Sequence, residues 1–94
     1  MDFRRTYMRG RTGNLIKSQE IRHYPDGRTA FFSYNSKIAE VNEDCEVTLF
    51  NPFWNMYSQT TNKYLIRFLH NRYYVTNSIK DIRKRVISGE YLVA

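Results

Sequence analysis

The sequence predicts an α+β domain in which an antiparallel sheet of about four strands is packed by two C-terminal helices. In the first half of the chain, apolar residues alternate with polar ones, a pattern typical of half-buried strands. In the second half, apolar residues recur every three or four positions, as in helices that lie on a core. The connections between the predicted strands are too short for crossover helices, so neighbouring strands should run antiparallel.

The N-terminal segment, residues 1–14, is rich in arginine and contains Gly10 and Gly13. Because it lacks hydrophobic periodicity, we expect it to be a basic flexible arm. Residues 15–94 are predicted to be a single domain, which the short chain length favours. The arginines of the predicted arm are Arg4, Arg5, Arg9 and Arg11.

The predicted sheet begins with a hairpin. Residues 15–24 have strand character, and residues 25–27 (Pro-Asp-Gly) form a turn because Pro presets φ and Gly accepts a positive φ. Residues 28–34 alternate as the returning strand. A third strand is predicted over 37–41 and a fourth over 46–50, separated by an Asn-Glu-Asp turn.

Two helices are predicted to follow the strands. The first begins after Thr60 or Thr61, whose hydroxyl can accept a hydrogen bond from the first helical turn. The second begins near Ser78, a capping residue, and ends at Gly89. Residues 91–93 are either a last short strand or a tail docked on the sheet. The residues expected to face the core from the first helix are Tyr64, Leu65, Phe68, Leu69 and Tyr73.

The net charge of +6 is distributed unevenly along the chain. Residues 1–28 have a net charge of +4, residues 29–59 of −3 and residues 60–94 of +5. Two basic ends around an acidic middle favour an anionic partner, most often nucleic acid. On the second helix Asp81 and Arg85 attract each other at i,i+4, so only part of its charge is balanced internally.

Cysteine usage and hydropathy indicate the compartment. The single cysteine, Cys45, excludes an intramolecular disulfide and makes the reducing cytoplasm the expected location, the host cytoplasm if the protein is phage-encoded. No apolar run has the length of a secretory h-region or a membrane span, so no membrane partner is expected.

The sequence contains no convincing catalytic or metal-binding constellation. His23 and His70 are far apart and have no ligands at zinc-site spacing, so neither a metal nor a cofactor is predicted. The residues next to Cys45 are acidic, which makes it a poor candidate for a nucleophile. We therefore predict that the protein is not an enzyme. A small metal-dependent nuclease remains an alternative, with carboxylates from Glu40, Glu43, Asp44 and Glu46.

Basic and aromatic side chains form the candidate site. Nucleic-acid backbones are bound by several mobile cations with loose geometry, and exposed aromatic rings can stack on bases. Tyr7, Trp54 and Tyr74 are possible stacking residues, of which Trp54 is better explained as core. The predicted nucleic-acid- or partner-binding residues are Arg4, Arg5, Arg9, Arg11, Lys63, Arg67, Tyr74, Lys80 and Lys84.

Two segments show a family resemblance: residues 33–39 (SYNSKIA) and residues 57–69 (YSQTTNKYLIRFL). With them the chain resembles a small uncharacterised domain family encoded mainly by tailed phages and prophages. The resemblance implies a short α+β protein and adds no reaction or ligand. It also implies a role as a binder of host machinery or of nucleic acid, since small phage proteins often have such roles.

The expected function is non-catalytic binding to nucleic acid or a nucleoprotein. The phage resemblance implies one specific example of such binding. It is the inhibition of a host RNA-guided defence nuclease, as by an anti-CRISPR protein. The alternative is an inhibitor that docks directly on a host protein through acidic hairpins and aromatic surface, without touching nucleic acid. The salt dependence of the affinity distinguishes these two functions, because phosphate contacts weaken steeply as the salt concentration rises while apolar interfaces change little.

Overall fold

A computed structural model describes residues 2–50, 59–73 and 78–94, which form a six-stranded sheet and two helices. The strands lie in the sheet in the order of the sequence, and β1 is therefore an edge strand. The elements are β1 (Arg4–Arg9), β2 (Leu15–His23), β3 (Thr29–Ser33), β4 (Ser36–Val41), β5 (Val47–Leu49), α1 (Gln59–Tyr73), α2 (Ile79–Ile87) and β6 (Leu92–Val93).

The prediction of about four strands is wrong, because the sheet has six. The first additional strand, β1, lies in the segment predicted to be a flexible arm and pairs antiparallel with β2. Only Met8 of this strand is buried, so its hydrophobic pattern is too sparse to indicate a strand. Gly10 and Gly13 belong to the connecting turn, where the Gly10 N–H donates to the Asn14 carbonyl over 2.8 Å and Gly13 has a φ of 85°.

The last strand, β6, confirms the first of the two possibilities for residues 91–93. It pairs with β5 in parallel, whereas strands β1 to β5 pair antiparallel as predicted. The parallel pairing follows from the connection, because the chain returns to the sheet only after α1 and α2 and can approach from the opposite end.

Two tight turns set the register of the central strands. Gly27 has a φ of 93° in the predicted turn between β2 and β3. Between β3 and β4, Tyr34 and Asn35 form a two-residue loop with φ values of 51° and 68°. Positive φ at both central positions is the geometry whose twist matches a hairpin. The pairing of β3 with β4 has one irregularity, between Phe31 and Phe32, and both Ile38 and Ala39 of β4 therefore belong to the core.

The core lies on one side of the sheet, which we call the inner face: the side that carries Met8, Ile21, Phe31, Val41 and Leu49. Both helices pack there. The Phe31 ring stacks on Phe68 of α1 with centroids 5.7 Å apart, and both side chains are almost fully buried. The other residues of α1 that were predicted to face the core and are described there are Tyr64, Leu65 and Leu69, all buried as expected.

The beginning of α1 differs from the prediction. The helix begins at Gln59, before both proposed capping threonines. Thr61 is buried and its hydroxyl lies 2.9 Å from the Ser33 hydroxyl of β3. Thr61, which the sequence predicts as a helix cap, therefore forms a tertiary contact between α1 and β3.

Helix α2 confirms the local prediction. The Asp81 backbone N–H donates to Ser78 Oγ over 3.1 Å, and Gly89 follows the helix with a φ of 83°. Arg85 pairs with Asp81 at 2.9 Å, as the i,i+4 spacing indicates. Ile82 is fully buried. The helix thus packs its apolar side on the sheet and leaves its lysines outward.

Candidate nucleic-acid interface

A hydrogen bond between distant residues joins α1 to the β1–β2 hairpin. Arg67 Nη1 donates to the Arg9 carbonyl over 2.7 Å, although 58 positions separate the two residues. The Arg9 side chain in turn donates from Nη1 to the Gly13 carbonyl over 2.8 Å. Both guanidinium groups are therefore held at the turn end of the same hairpin by neutral acceptors.

Two further cations belong to this region. Lys63 is exposed one helical turn before Arg67, and both cations lie near the Tyr64 ring, with Nζ and Cζ at 5.4 and 5.2 Å from its centroid. Arg11 is exposed in the hairpin turn between β1 and β2. We call Arg9, Arg11, Lys63 and Arg67 the basic end of the molecule. The structure thus brings together four of the nine predicted site residues.

Arg4 and Arg5 do not form a single patch with the basic end. Successive side chains of a strand point to opposite faces, so Arg4 lies on the side of Met8 while Arg5 lies on the outer face, the side of the sheet opposite the helices. Arg5 Nε also pairs with Glu20 Oε2 at 3.0 Å. A strand, in contrast to a flexible arm, cannot direct all its arginines to one ligand.

Lys80 and Lys84 lie on α2 and are exposed. Among the described residues, no hydrogen bond, ion pair or ring contact joins them to the basic end. The nearby Arg85 is paired with Asp81 and Glu90, which raise its pKa, Asp81 most strongly. Helix α2 therefore carries two exposed lysines that no described contact links to the basic end. The remaining predicted residue, Tyr74, lies outside the described residues, as does Trp54.

The sequence interpretation missed an alternating row of side chains that begins just before β1 and continues along it. Phe3, Arg5, Tyr7 and Arg9 occupy every second position, and period two places them along the outer face. We call this row the β1 stripe. The alternation of aromatic rings and guanidinium groups is present in the sequence. It was not recognised as a surface row, because β1 has too few buried apolar residues to be predicted as a strand.

Glu20 organises the outer face beside the β1 stripe. Its Oε2 accepts from Arg5 Nε and from Arg22 Nε, and the carboxylate itself is largely buried. The hydrogen bond with Glu20 raises the pKa of Arg22. The Arg22 guanidinium lies between two rings, 4.7 Å from the Phe3 centroid and 4.0 Å from that of Phe32. One carboxylate thus fixes two cations and, through them, the Phe3 ring.

Two open clefts lie along β1. The first, of about 450 Å³, is at the beginning of the strand, and the second, of about 470 Å³, lies beside its later residues. The first cleft is lined by Asp2, Phe3, Arg4, His23, Tyr24 and Pro25. The second is lined by Arg5, Thr6, Tyr7, Arg9 and Leu15.

The residues considered for catalysis have other contacts or stand apart. His23 Nε2 lies 3.0 Å from Thr6 Oγ1. Glu40 accepts from both Arg28 and Lys37 on the outer face. Cys45 is exposed in a turn with a φ of 64°. Across residues 2–50, 59–73 and 78–94, no three His, Cys, Asp or Glu side chains are grouped so as to hold a metal ion.

Comparisons with known proteins place most of the chain in one family. Residues 4–89 match a family described as a family of unknown function (DUF8033). No curated protein and no solved structure matches the chain. Within the described residues, neither helix is long and apolar enough to cross a membrane.

Proposed function

We propose that this chain, which belongs to the DUF8033 family of unknown function, is a non-catalytic protein that binds nucleic acid or a nucleoprotein through its basic end. The observation that supports the proposal most is the hydrogen bond of Arg67 to the Arg9 carbonyl. This contact gathers cations from two distant parts of the sequence at one hairpin. A cluster of positive charge is the electrostatic footprint of polyanion binding.

The way in which these arginines are held also supports the proposal. Arg9 and Arg67 each use one N–H on a neutral carbonyl, so their full charge is retained. Arg85 gives the opposite case, because Asp81 and Glu90 balance it. A guanidinium presents five N–H donors, and one hydrogen bond leaves the others free for phosphate oxygens. The basic end is therefore positioned without being neutralised.

The phosphates of a host nucleoprotein would suit the same cations. The RNA-guided defence nuclease implied by the phage resemblance is one such partner and forms part of this proposal. A pull-down from host lysate, with and without nuclease treatment, separates the cases. Loss of the captured material after digestion supports nucleic-acid binding. Retention of one host protein supports direct docking on that protein.

The test of the basic end uses two charge-matched variants. Arg11→Ala/Lys63→Ala removes two cations from the basic end, and Lys80→Ala/Lys84→Ala removes two from α2. Fluorescence anisotropy with labelled oligonucleotides at several salt concentrations measures affinity and its salt dependence. Each lost phosphate contact should flatten the slope of log K against log salt by about 0.7 for single strands and about 0.9 for duplex DNA. We expect this flattening in the first variant and a smaller change in the second.

Two results would count against the basic end. Absence of oligonucleotide binding by the natural chain at low salt would reject nucleic-acid binding as the function. Equal losses in the two variants would show that the charge acts as a diffuse field over both surfaces. Circular dichroism of both variants checks that they remain folded.

A further inference from the structure

The β1 stripe has the composition of a surface that binds single-stranded nucleic acid. Such surfaces combine cations that follow the backbone with aromatic rings on which bases stack. Phe3 and Tyr7 are both half-buried, so part of each ring is accessible, and Arg5 and Arg9 alternate with them. On a strand, alternate residues are about 6.6 Å apart along one face. Ring and cation therefore alternate from Phe3 to Tyr7 along this face, and Arg9 follows beyond an irregularity in pairing between Tyr7 and Met8.

The cleft at the beginning of β1 suits a base better than a phosphate. Phe3 and Tyr24 form its aromatic part, with ring centroids 5.6 Å apart and planes inclined by 48°. Asp2 and Arg4 line it as well, so its charge is mixed. An unpaired base offers donors and acceptors for such groups and a flat face for the rings. Its volume of about 450 Å³ lies within the range of small-ligand sites, about 300–1,000 Å³.

The second cleft suits the neighbouring phosphate and base. It is lined by Arg5 and Arg9 together with Tyr7, and it contains no carboxylate. The Arg5 side chain is 47% exposed although it pairs with Glu20. The pair uses Nε, so the other N–H groups of the guanidinium remain available to a phosphate. Arg9 belongs both to this cleft and to the basic end. A strand bound here would place its phosphates beside Arg5 and Arg9.

The rings of the first cleft are held in position before any ligand binds. Arg22 lies 4.7 Å from the Phe3 centroid, and Arg28 lies 4.6 Å from that of Tyr24. Glu20 and Asp26 hold these two guanidinium groups in turn. Fixing the rings in advance reduces the entropy lost on binding. In the described part of the chain, both helices pack on the inner face and leave this side open.

We infer that the outer face of β1 and the end of β2 bind a single-stranded nucleic acid, with one base in the Phe3–Tyr24 cleft, a second on Tyr7, and the backbone along Arg5 and Arg9. This inference rests on the proposed function and narrows its ligand from nucleic acid in general to unpaired strands. A duplex keeps its bases stacked on one another and cannot offer them to these rings.

The test compares ring removal with ring retention. Phe3→Ala/Tyr7→Ala removes two rings, while Phe3→Tyr/Tyr7→Phe keeps both. Tyr34→Asn is the matched control, since Tyr34 is 60% exposed in the β3–β4 loop and Asn tolerates its φ of 51°. Anisotropy measures binding to a single-stranded oligothymidylate and to a duplex of equal length at the same salt. Thermal denaturation checks the fold of each variant.

The stacking contacts predict a selective loss. The alanine variant should bind the single strand about 5- to 160-fold more weakly per ring, with an unchanged salt slope, because its phosphate contacts remain. Its duplex affinity should change little. The ring-retaining variant and Tyr34→Asn should match the natural chain.

The possible failures are distinguishable. If the natural chain binds neither ligand, the proposed function itself fails. If it binds nucleic acid but the alanine variant keeps its single-strand affinity, or loses single-strand and duplex affinity equally, the stacking inference alone is overturned. Should the alanine variant unfold, Phe3→Ala and Tyr7→Ala are measured singly, and the same criteria apply to each.

Discussion

The two faces of the sheet bury their aromatic side chains against different kinds of group, as the adjacent residues Phe31 and Phe32 show. Phe31 lies on the inner face against the Phe68 ring of α1 and is fully buried. Phe32 lies on the outer face and is 9% exposed, with the Arg22 guanidinium 4.0 Å from its centroid. The inner face is closed by apolar packing. The outer face is covered by charged groups, which a ligand can contact directly.

The outer face repeats one electrostatic arrangement. Glu20 pairs with Arg5 and Arg22, and Glu40 pairs with Arg28 and Lys37. Glu20 therefore holds two cations and leaves a local excess of positive charge, whereas Arg28 in the second group is also paired with Asp26, so that group is balanced. The two faces therefore have different roles. Apolar burial on the inner face stabilises the fold, and the ordered charged groups of the outer face are suited to an anionic partner.

The largest expected effect is on the free energy of unfolding, and it compares the two faces at the adjacent residues Phe31 and Phe32. Phe31→Ala should lower the free energy of unfolding by about 3–5 kcal/mol, because it removes a ring from the closed core. Phe32→Ala should lower it less, since the Phe32 ring packs against the Arg22 guanidinium and not against another ring in the core. Urea denaturation of both variants measures the difference. An equal loss at the two positions would mean that both faces stabilise the fold alike.

A smaller effect is expected at Glu20, where stability and binding should change in opposite directions. Glu20→Gln removes the charge that holds Arg5 and Arg22, so the free energy of unfolding should fall by about 1–2 kcal/mol. The two freed cations should strengthen binding to duplex DNA at low salt, to which ring stacking does not contribute. Urea denaturation and anisotropy measure the two quantities. Glu43→Gln, an exposed residue in the β4–β5 turn, makes the same change in net charge and is the control.

If Glu43→Gln strengthens binding as much as Glu20→Gln does, only net charge matters and the arrangement on the outer face is irrelevant.

The smallest expected effect is a pH dependence at Asp26. Its pKa is lowered, first by the hydrogen bond from the Arg28 backbone N–H and also by the Arg28 guanidinium, with some opposition from desolvation. A lowered pKa in the folded state stabilises the protein above the unfolded value of about 3.9, and this contribution is lost as the pH falls through the folded value.

Asp26→Asn should therefore make the thermal midpoint less sensitive to acid below about pH 4. Melting curves between pH 7 and pH 2 measure this, and the natural chain is the reference. Identical pH dependence in the two proteins would show that the Asp26–Arg28 pair adds nothing to stability.

Much of the fold is encoded in local patterns. The Pro-Asp-Gly turn, the Ser78 cap and the Gly89 stop each depend on residues within one turn of the chain, and each is found where it was predicted. The α+β class follows from hydrophobic periodicity, which needs no knowledge of distant partners. Local conformational preference and alternation are properties of neighbouring residues, so they can be derived without a structure.

The tertiary structure alone decided which distant residues meet. Strand β1 has one buried residue and is a strand because β2 supplies its hydrogen-bond partners. The contact of Arg67 with Arg9 crosses 58 positions, and β6 reaches β5 only after two helices. Such contacts depend on how the helices pack on the inner face, which no short pattern encodes. The sequence therefore indicated which cations are available, and packing decided which of them share a surface.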